Sequence, residues 1–244
     1  MKGILLCGGH GTRLRPTTKL INKHLLPVYN RPMILYPLET LKTFDIKDIM
    51  IISGGDALGG FTEFLKDGSE YGVNLTYRVQ EEAGGIAQAL SLGEGFAAGA
   101  PVMVILGDNI FDNTQFADAA GLLSYTENNA LLFLKKVEDP QRFGVPVFNA
   151  SGSIIEIEEK PEKPKSHYAV TGLYYYPPDV FNVIKPLQPS RRGELEISDV
   201  NNFYIHQNRC KIATIDGFWS DAGTHDSLMK SAIWASQNYP QPTP

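Results

Sequence analysis

The chain has 244 residues, 43% of them hydrophobic, two cysteines and a net charge of −5. That length can bury a substantial core, while the acidic balance and the absence of a long Lys/Arg cluster argue against a nucleic-acid partner. Cys7 and Cys210 lie too far apart in sequence to suggest a disulfide framework or a metal set. With no charged-then-apolar leader and no apolar run of membrane-spanning length, the expectation is a cytoplasmic protein without a membrane partner.

The apolar run Lys2–Cys7 reads as a buried strand opening directly into Gly8-Gly9-His10-Gly11-Thr12-Arg13-Leu14. Glycines let a backbone turn sharply and leave its N–H groups uncovered, so a polyphosphate can lie against them. Arg13, at the end of the loop, can then fork onto phosphate oxygens. The loop is a candidate nucleotide cradle, although it fits neither the Walker pattern nor the three-glycine dinucleotide fingerprint. Leu14-Arg15-Pro16, Asn22-Lys23-His24-Leu25-Leu26-Pro27-Val28 and Arg31-Pro32-Met33-Ile34 follow.

A helix is expected over Pro32–Phe44, where Ile34, Leu38, Leu41 and Phe44 share one face and Pro32 suits a first turn. Further strands are expected at Asp48–Ser53, Leu75–Val79, Val102–Leu106 and Ala130–Lys136, with helices at Gly59–Leu65, Ile86–Phe96 and Gln115–Asn128. These strands are continuously apolar, as strands covered on both faces are. The alternation predicts an α/β, Rossmann-like fold: a mainly parallel mixed sheet with helices on both faces, and ligands at the carboxyl ends of its strands. The Gly8 loop and the Gly107-Asp108-Asn109 turn fall there.

From Phe143 the pattern changes to short strands, Phe143–Phe148, Ile154–Glu158, Tyr168–Tyr176 and Lys211–Asp216, around helices near Asp179–Ile184 and Ser198–Gln207. This half reads as mixed sheet added to the first. Residues 1–237 are expected to form one domain of two halves, 1–136 and 137–237, followed by a flexible tail (238–244). A last helix is expected near Thr224–Gln237, capped by Thr224 or Asp226.

From Lys2 to about Ser227 these motifs together resemble the sugar-nucleotidyltransferases, which join a sugar 1-phosphate to a nucleoside triphosphate. Within that family, with its GT-A-like fold, the chain is most similar to short enzymes that make dTDP-glucose from dTTP and glucose 1-phosphate. The resemblance implies that Leu6, Gly8, Gly9, Gly11, Thr12, Arg13, Lys23 and Asp108 bind the nucleotide. Gln80 and Gly85 would read the pyrimidine, Gln offering both a donor and an acceptor to its imide edge. Asp108 and Asp221 would hold Mg2+, a hard cation that nucleotide sites bind with one or two carboxylates plus phosphates and water. Gly144, Glu159, Lys160, Val170 and Arg192 would meet the sugar phosphate. Arg13, Lys23, Asp108 and Lys160 are the expected catalytic set. His10 reads as a space-filling residue, and His24 stands where it could touch the nucleotide. Thymine and uracil share the edge that Gln80 would read, so dTTP and UTP both stay open. A nucleotide-sugar sensor without turnover would be expected to have lost a metal acid or the loop arginine, and all three are present. Family members assemble as homo-oligomers, so a tetramer or dimer is expected. Longer relatives continue into a helical extension, so a separate regulatory nucleotide site is expected to be weak or absent here.

Overall fold

The structure, a computed structural model, describes residues 1–124, 126 and 128–239. In chain order its strands are β1 (Lys2–Leu6), β2 (Pro27–Val28), β3 (Arg31–Pro32), β4 (Asp48–Gly54), β5 (Asn74–Gln80), β6 (Val102–Leu106) and β7 (Ile110–Phe111), then β8 (Ala130–Lys136), β9 (Gly144–Phe148), β10 (Ile154–Glu159), β11 (Tyr168–Tyr176), β12 (Cys210–Ile215) and β13 (Trp219–Ser220). The helices are α1 (Leu35–Thr43), α2 (Gly55–Leu65), α3 (Ile86–Ser91), α4 (Glu94–Ala97), α5 (Ala119–Ser124), α6 (Val180–Ile184), α7 (Ile197–His206) and α8 (His225–Asn238).

A seven-stranded sheet in the order β12-β8-β11-β6-β1-β4-β5 organises the molecule. Strands β6, β1, β4 and β5 pair in parallel, as do β12 and β8, while β11 runs antiparallel between β6 and β8. Residues alternate across the strands with a period of two. Ile4 and Leu6 of β1 join Ile52, Val104 and the inner faces of α3, α6 and α7 on one side. Leu5 and Cys7 join Ile51, Ile105 and the inner faces of α1 and α2 on the other. Each fully buried aliphatic side chain contributes about 1.5–3 kcal/mol relative to exposure, so this sheet covered on both faces is the dominant source of stability. The expected mixed α/β sheet with helices on both faces is present, with small antiparallel pairs β9–β10, β7–β13 and β2–β3 beside it.

Four local expectations are corrected. Arg31 and Pro32 do not begin a helix: they pair with Val28 and Pro27. Met33 N–H donates to Leu26 O at 2.9 Å and Ile34 N–H to His24 O at 2.8 Å, which ties the backbone to the preceding segment until Leu35. The expected helix over Ile86–Phe96 is two pieces, α3 and α4: at the junction Leu92 N–H donates to Ala89 O at 3.2 Å and Gly93 N–H to Leu90 O at 2.9 Å, turns of three residues that interrupt the α-helical ladder. The expected helix from Gln115 is a 3-10 turn over Asn113–Phe116 followed by α5; Asp112 accepts Thr114 N–H at 3.0 Å and caps that separate turn. Its end, at Tyr125 and Glu127, lies outside the described residues, as do residues 240–244 of the tail, whose first residue Asn238 belongs to α8. Thr224, not Asp226, caps α8, closing a capping box with Ser227 worth about 1 kcal/mol.

Candidate active site

The carboxyl ends of β1 and β6, the middle of β11 and the loops around them enclose a cleft of about 670 Å³. All the residues to which the sequence assigns a binding, catalytic or metal role line it: Leu6, Gly8, Gly9, Gly11, Thr12, Arg13, Lys23, Gln80, Gly85 and Asp108 from the first half, then Gly144, Glu159, Lys160, Val170, Arg192 and Asp221 from the second. The sheet order explains the convergence. β6 delivers Asp108 and its neighbour β11 delivers Val170, so residues 62 positions apart in sequence flank one opening. The β11 register slips between Val170 and Tyr174, leaving Gly172 N–H free to donate to Asn109 Oδ1 at 2.8 Å.

Asp108 is 8% exposed, and Lys23 Nζ lies 2.5 Å from its Oδ2. Burial pushes the Asp108 carboxyl up, but the Lys23 ammonium and hydrogen bonds from Lys23 and Asn109 oppose it and leave the group at about 2. Asn109 donates to Asp108 Oδ1 at 3.0 Å and accepts Trp219 Nε1–H at 2.8 Å, so one buried amide fixes the acid, β11 and β13 together. Asp221 follows β13 and is gripped by Arg142 Nη2 at 2.9 and 3.2 Å. Burial and the charge of Asp108 raise its carboxyl, with Arg142 and Arg13 opposing. The loop before it is pinned by Lys135 Nζ, which donates to the carbonyls of Ile215, Asp216 and Gly217 at 3.2, 2.9 and 2.8 Å. Arg13 reaches across from the glycine loop: a Cβ on Gly223 would stand 2.9 Å from Arg13 Nη2 and 3.5 Å from Asp108 Oδ2.

Two neighbouring carboxylates, of which Asp108 raises the proton affinity of Asp221, are a natural seat for a divalent cation. No group of three or more His, Cys, Asp or Glu suited to a metal occurs among the described residues. The donor set therefore fits a hard cation that takes its remaining ligands from phosphates and water rather than a closed protein cage.

On the opposite wall Glu159 accepts Ser198 Oγ–H at 2.5 Å, with Lys160 Nζ at 3.3 Å and Arg192 Nη1 at 3.6 Å. Arg192 is shared among Glu159, Glu194 and Glu196. Gln80 is 9% exposed and donates from Nε2 to Gln88 Oε1 at 2.7 Å and towards Gly85 O at 3.4 Å. Gly85 has φ 97°, and a Cβ there would stand 2.6 Å from Leu195 O, so glycine is required where the chain enters α3. His24 lines the cleft but is 1% exposed, its Nδ1 2.8 Å from Asn22 Oδ1. Burial, with Lys23 adding and Asp108 opposing, lowers it to about 3, so it stays neutral. His10 is exposed at the outer side of the loop.

Sequence reasoning passed over Asn109, Arg142, Tyr174 and Trp219, which also line the cleft. Asn109 is adjacent to Asp108 in sequence, and Trp219 stands two positions before Asp221. Arg142 and Tyr174 carry no local signal; only the packing of β9 and β11 brings them in.

The profile of the nucleotidyl transferase family matches residues 2–237. The chain belongs to that family. Its similarity to individual nucleotidyl transferases extends along nearly its whole length. It is 44% identical over 234 residues to a glucose-1-phosphate thymidylyltransferase of Neisseria meningitidis, covering 95% of this chain and 81% of the relative. It is 45% identical over 233 residues to one of Xanthomonas campestris pv. campestris, covering 95% of this chain and 79% of the relative. A crystal structure of a Bacillus anthracis protein assigned as a glucose-1-phosphate thymidylyltransferase, in complex with a sucrose, superposes with a TM-score of 0.92 at 49% identity, covering all of this chain and 98% of that one. No helix among the described residues is long and apolar enough to cross a membrane.

Proposed function

We propose that the chain transfers a thymidylyl group from dTTP to glucose 1-phosphate, giving dTDP-glucose and pyrophosphate, in the cytoplasm and as a homo-oligomer. The carrying observation is that the glycine loop with Lys23 and Asp108, and the Glu159–Lys160 pair with Arg192, face each other across one cleft, in a chain over 40% identical to relatives named for this reaction. A phosphate oxygen of the sugar 1-phosphate attacks the α-phosphorus of dTTP; the new P–O bond forms as the bond to the β-phosphate breaks, and pyrophosphate leaves. The nucleophile is already anionic and needs no general base. Catalysis then rests on alignment and on charge placed where it develops.

Arg13 and the loop amides hold the β- and γ-phosphates. Lys23 and Lys160 bring positive charge to the α-phosphate and to the incoming sugar phosphate. Asp108 and Asp221 hold Mg2+, which when bound neutralises phosphate charge. Gln80 and Gly85 receive the base, and Gly144, Glu159 and Val170 the sugar hydroxyls. Residues 1–136 thus serve the nucleotide and 137–237 the sugar phosphate. A pyrophosphate-release panel crossing dTTP, UTP, ATP, CTP and GTP with several sugar 1-phosphates tests this. The highest kcat/KM is expected for dTTP with glucose 1-phosphate; a higher value for UTP, or for another sugar, would replace the assignment.

A further inference from the structure

Gln88 lies on α3, one turn behind the cleft, and is not among its lining residues. Its Oε1 accepts from Gln80 Nε2 at 2.7 Å. On its own, that pair could flip in concert, with either glutamine donating. Gly85 O breaks the symmetry: a carbonyl 3.4 Å from Nε2 tolerates an N–H beside it and not a second oxygen. Both amide hydrogens of Gln80 are therefore directed inwards. Its Oε1 is the atom left against Gly8, where a Cβ would come within 2.6 Å of it. We infer that Gln88 is a positioning residue for base selection, holding Gln80 so that it presents an acceptor to the nucleobase. An acceptor suits the N3–H of thymine or uracil and opposes the N3 lone pair of cytosine. This inference rests on Gln80 being the base-reading residue.

The test is the ratio of kcat/KM for dTTP over dCTP, each with glucose 1-phosphate, in the parent chain and in Gln88→Glu, Gln88→Leu, Gln88→Lys and Gln80→Leu. A carboxylate at 88 still accepts from Nε2, so Gln88→Glu is expected to keep the ratio. Gln88→Leu removes the shorter of the two hydrogen bonds that hold Nε2 and leaves only Gly85 O at 3.4 Å against rotation of the amide, so the ratio should fall by about tenfold, the worth of one mispaired hydrogen bond. Gln88→Lys can only donate, which turns Oε1 inwards and the NH2 group towards the base, so its ratio should fall further. Should the lysine variant fail to fold, the leucine and glutamate variants alone decide. A ratio unmoved in Gln88→Leu but collapsed in Gln80→Leu would overturn the role of Gln88. A ratio unmoved in Gln80→Leu would overturn the base-reading role itself. General damage from substitution at 88 would lower both rates together and leave the ratio where it was, which also overturns the inference.

Discussion

Removing the ammonium of Lys23 tests the electrostatic centre of the site. Lys23 and Asp108 are only 14% and 12% exposed in their side chains, with the charged atoms 2.5 Å apart. Two unit charges about 4 Å apart interact by about 4 kcal/mol at an effective dielectric of about 20. Desolvation of the two groups takes back part of that, leaving a coupling of about 2 kcal/mol. Lys23→Met strands Asp108 with Asn109 as its remaining side-chain donor, so the unfolding free energy should fall by about 2–3 kcal/mol. Asp108→Asn alone leaves a buried ammonium facing an amide and should cost a similar amount. The double substitution should cost less than the sum, by about 2 kcal/mol, because the second change removes a charge that no longer has a partner. Urea denaturation of the four proteins at pH 7 closes the cycle. Strict additivity would refute the claim that these groups stabilise each other. In the same set, turnover of both single variants should drop by about a hundredfold, the effect of one lost charge contact at a phosphoryl-type transition state.

Three further outcomes are expected. Asp221→Asn should lower turnover by about a hundredfold and raise the Mg2+ concentration for half-maximal rate, yet leave the metal-free thermal midpoint unchanged or higher, since it removes a carboxylate strained by burial and by Asp108; an unchanged Mg2+ requirement would remove Asp221 from the metal site. Arg13→Ala should chiefly damage dTTP use and Lys160→Ala the apparent affinity for glucose 1-phosphate; equal effects on both substrates would point to one shared structural defect. For His24 the folded value is about 3 against 6.5 for the free side chain, so in between only the unfolded chain takes up the proton. The stability that neutral His24 confers is whole above pH 6.5 and is lost as pH falls towards about 3. The drop in unfolding free energy between pH 7 and pH 4.5 should shrink by about 2 kcal/mol in His24→Gln, and an equal drop in both proteins would contradict the buried neutral ring.

The central strands were legible because β1, β4 and β6 are built on apolar runs, and β1, β6 and β8 lie almost where the runs in sequence place them. The site was legible wherever a chemical residue interrupts such a run at a strand end, as Gly8 and Asp108 do. What stayed hidden is of another kind. Pairing of Arg31 with Val28 depends on backbone hydrogen bonds from Met33 and Ile34 that no side-chain pattern announces. Arg142 reads as an ordinary surface arginine until Asp221, 79 residues later, arrives beside it. The position of β11 between β6 and β8 follows from the packing of both faces of the sheet, and hydrophobicity alone does not order strands.

That strand order has a consequence for how the chain assembles as it is made. Strands β6, β1, β4 and β5 are contiguous in the sheet, so they can pair with one another once residue 106 has been synthesised, and only the far edge of β6 is left for β11. Strand β8 cannot pair so early: its partners in the sheet are β11 and β12, both later in the chain. The apolar run Ala130–Leu134 must therefore wait through more than thirty residues before Tyr168 starts the strand that covers its edge. An exposed apolar strand of this kind is a template for wrong pairing. The last part of the sheet to close includes β11, which lines the cleft with Val170, Gly172 and Tyr174, so a nascent chain can acquire the glycine loop and Asp108 well before the wall that faces them exists.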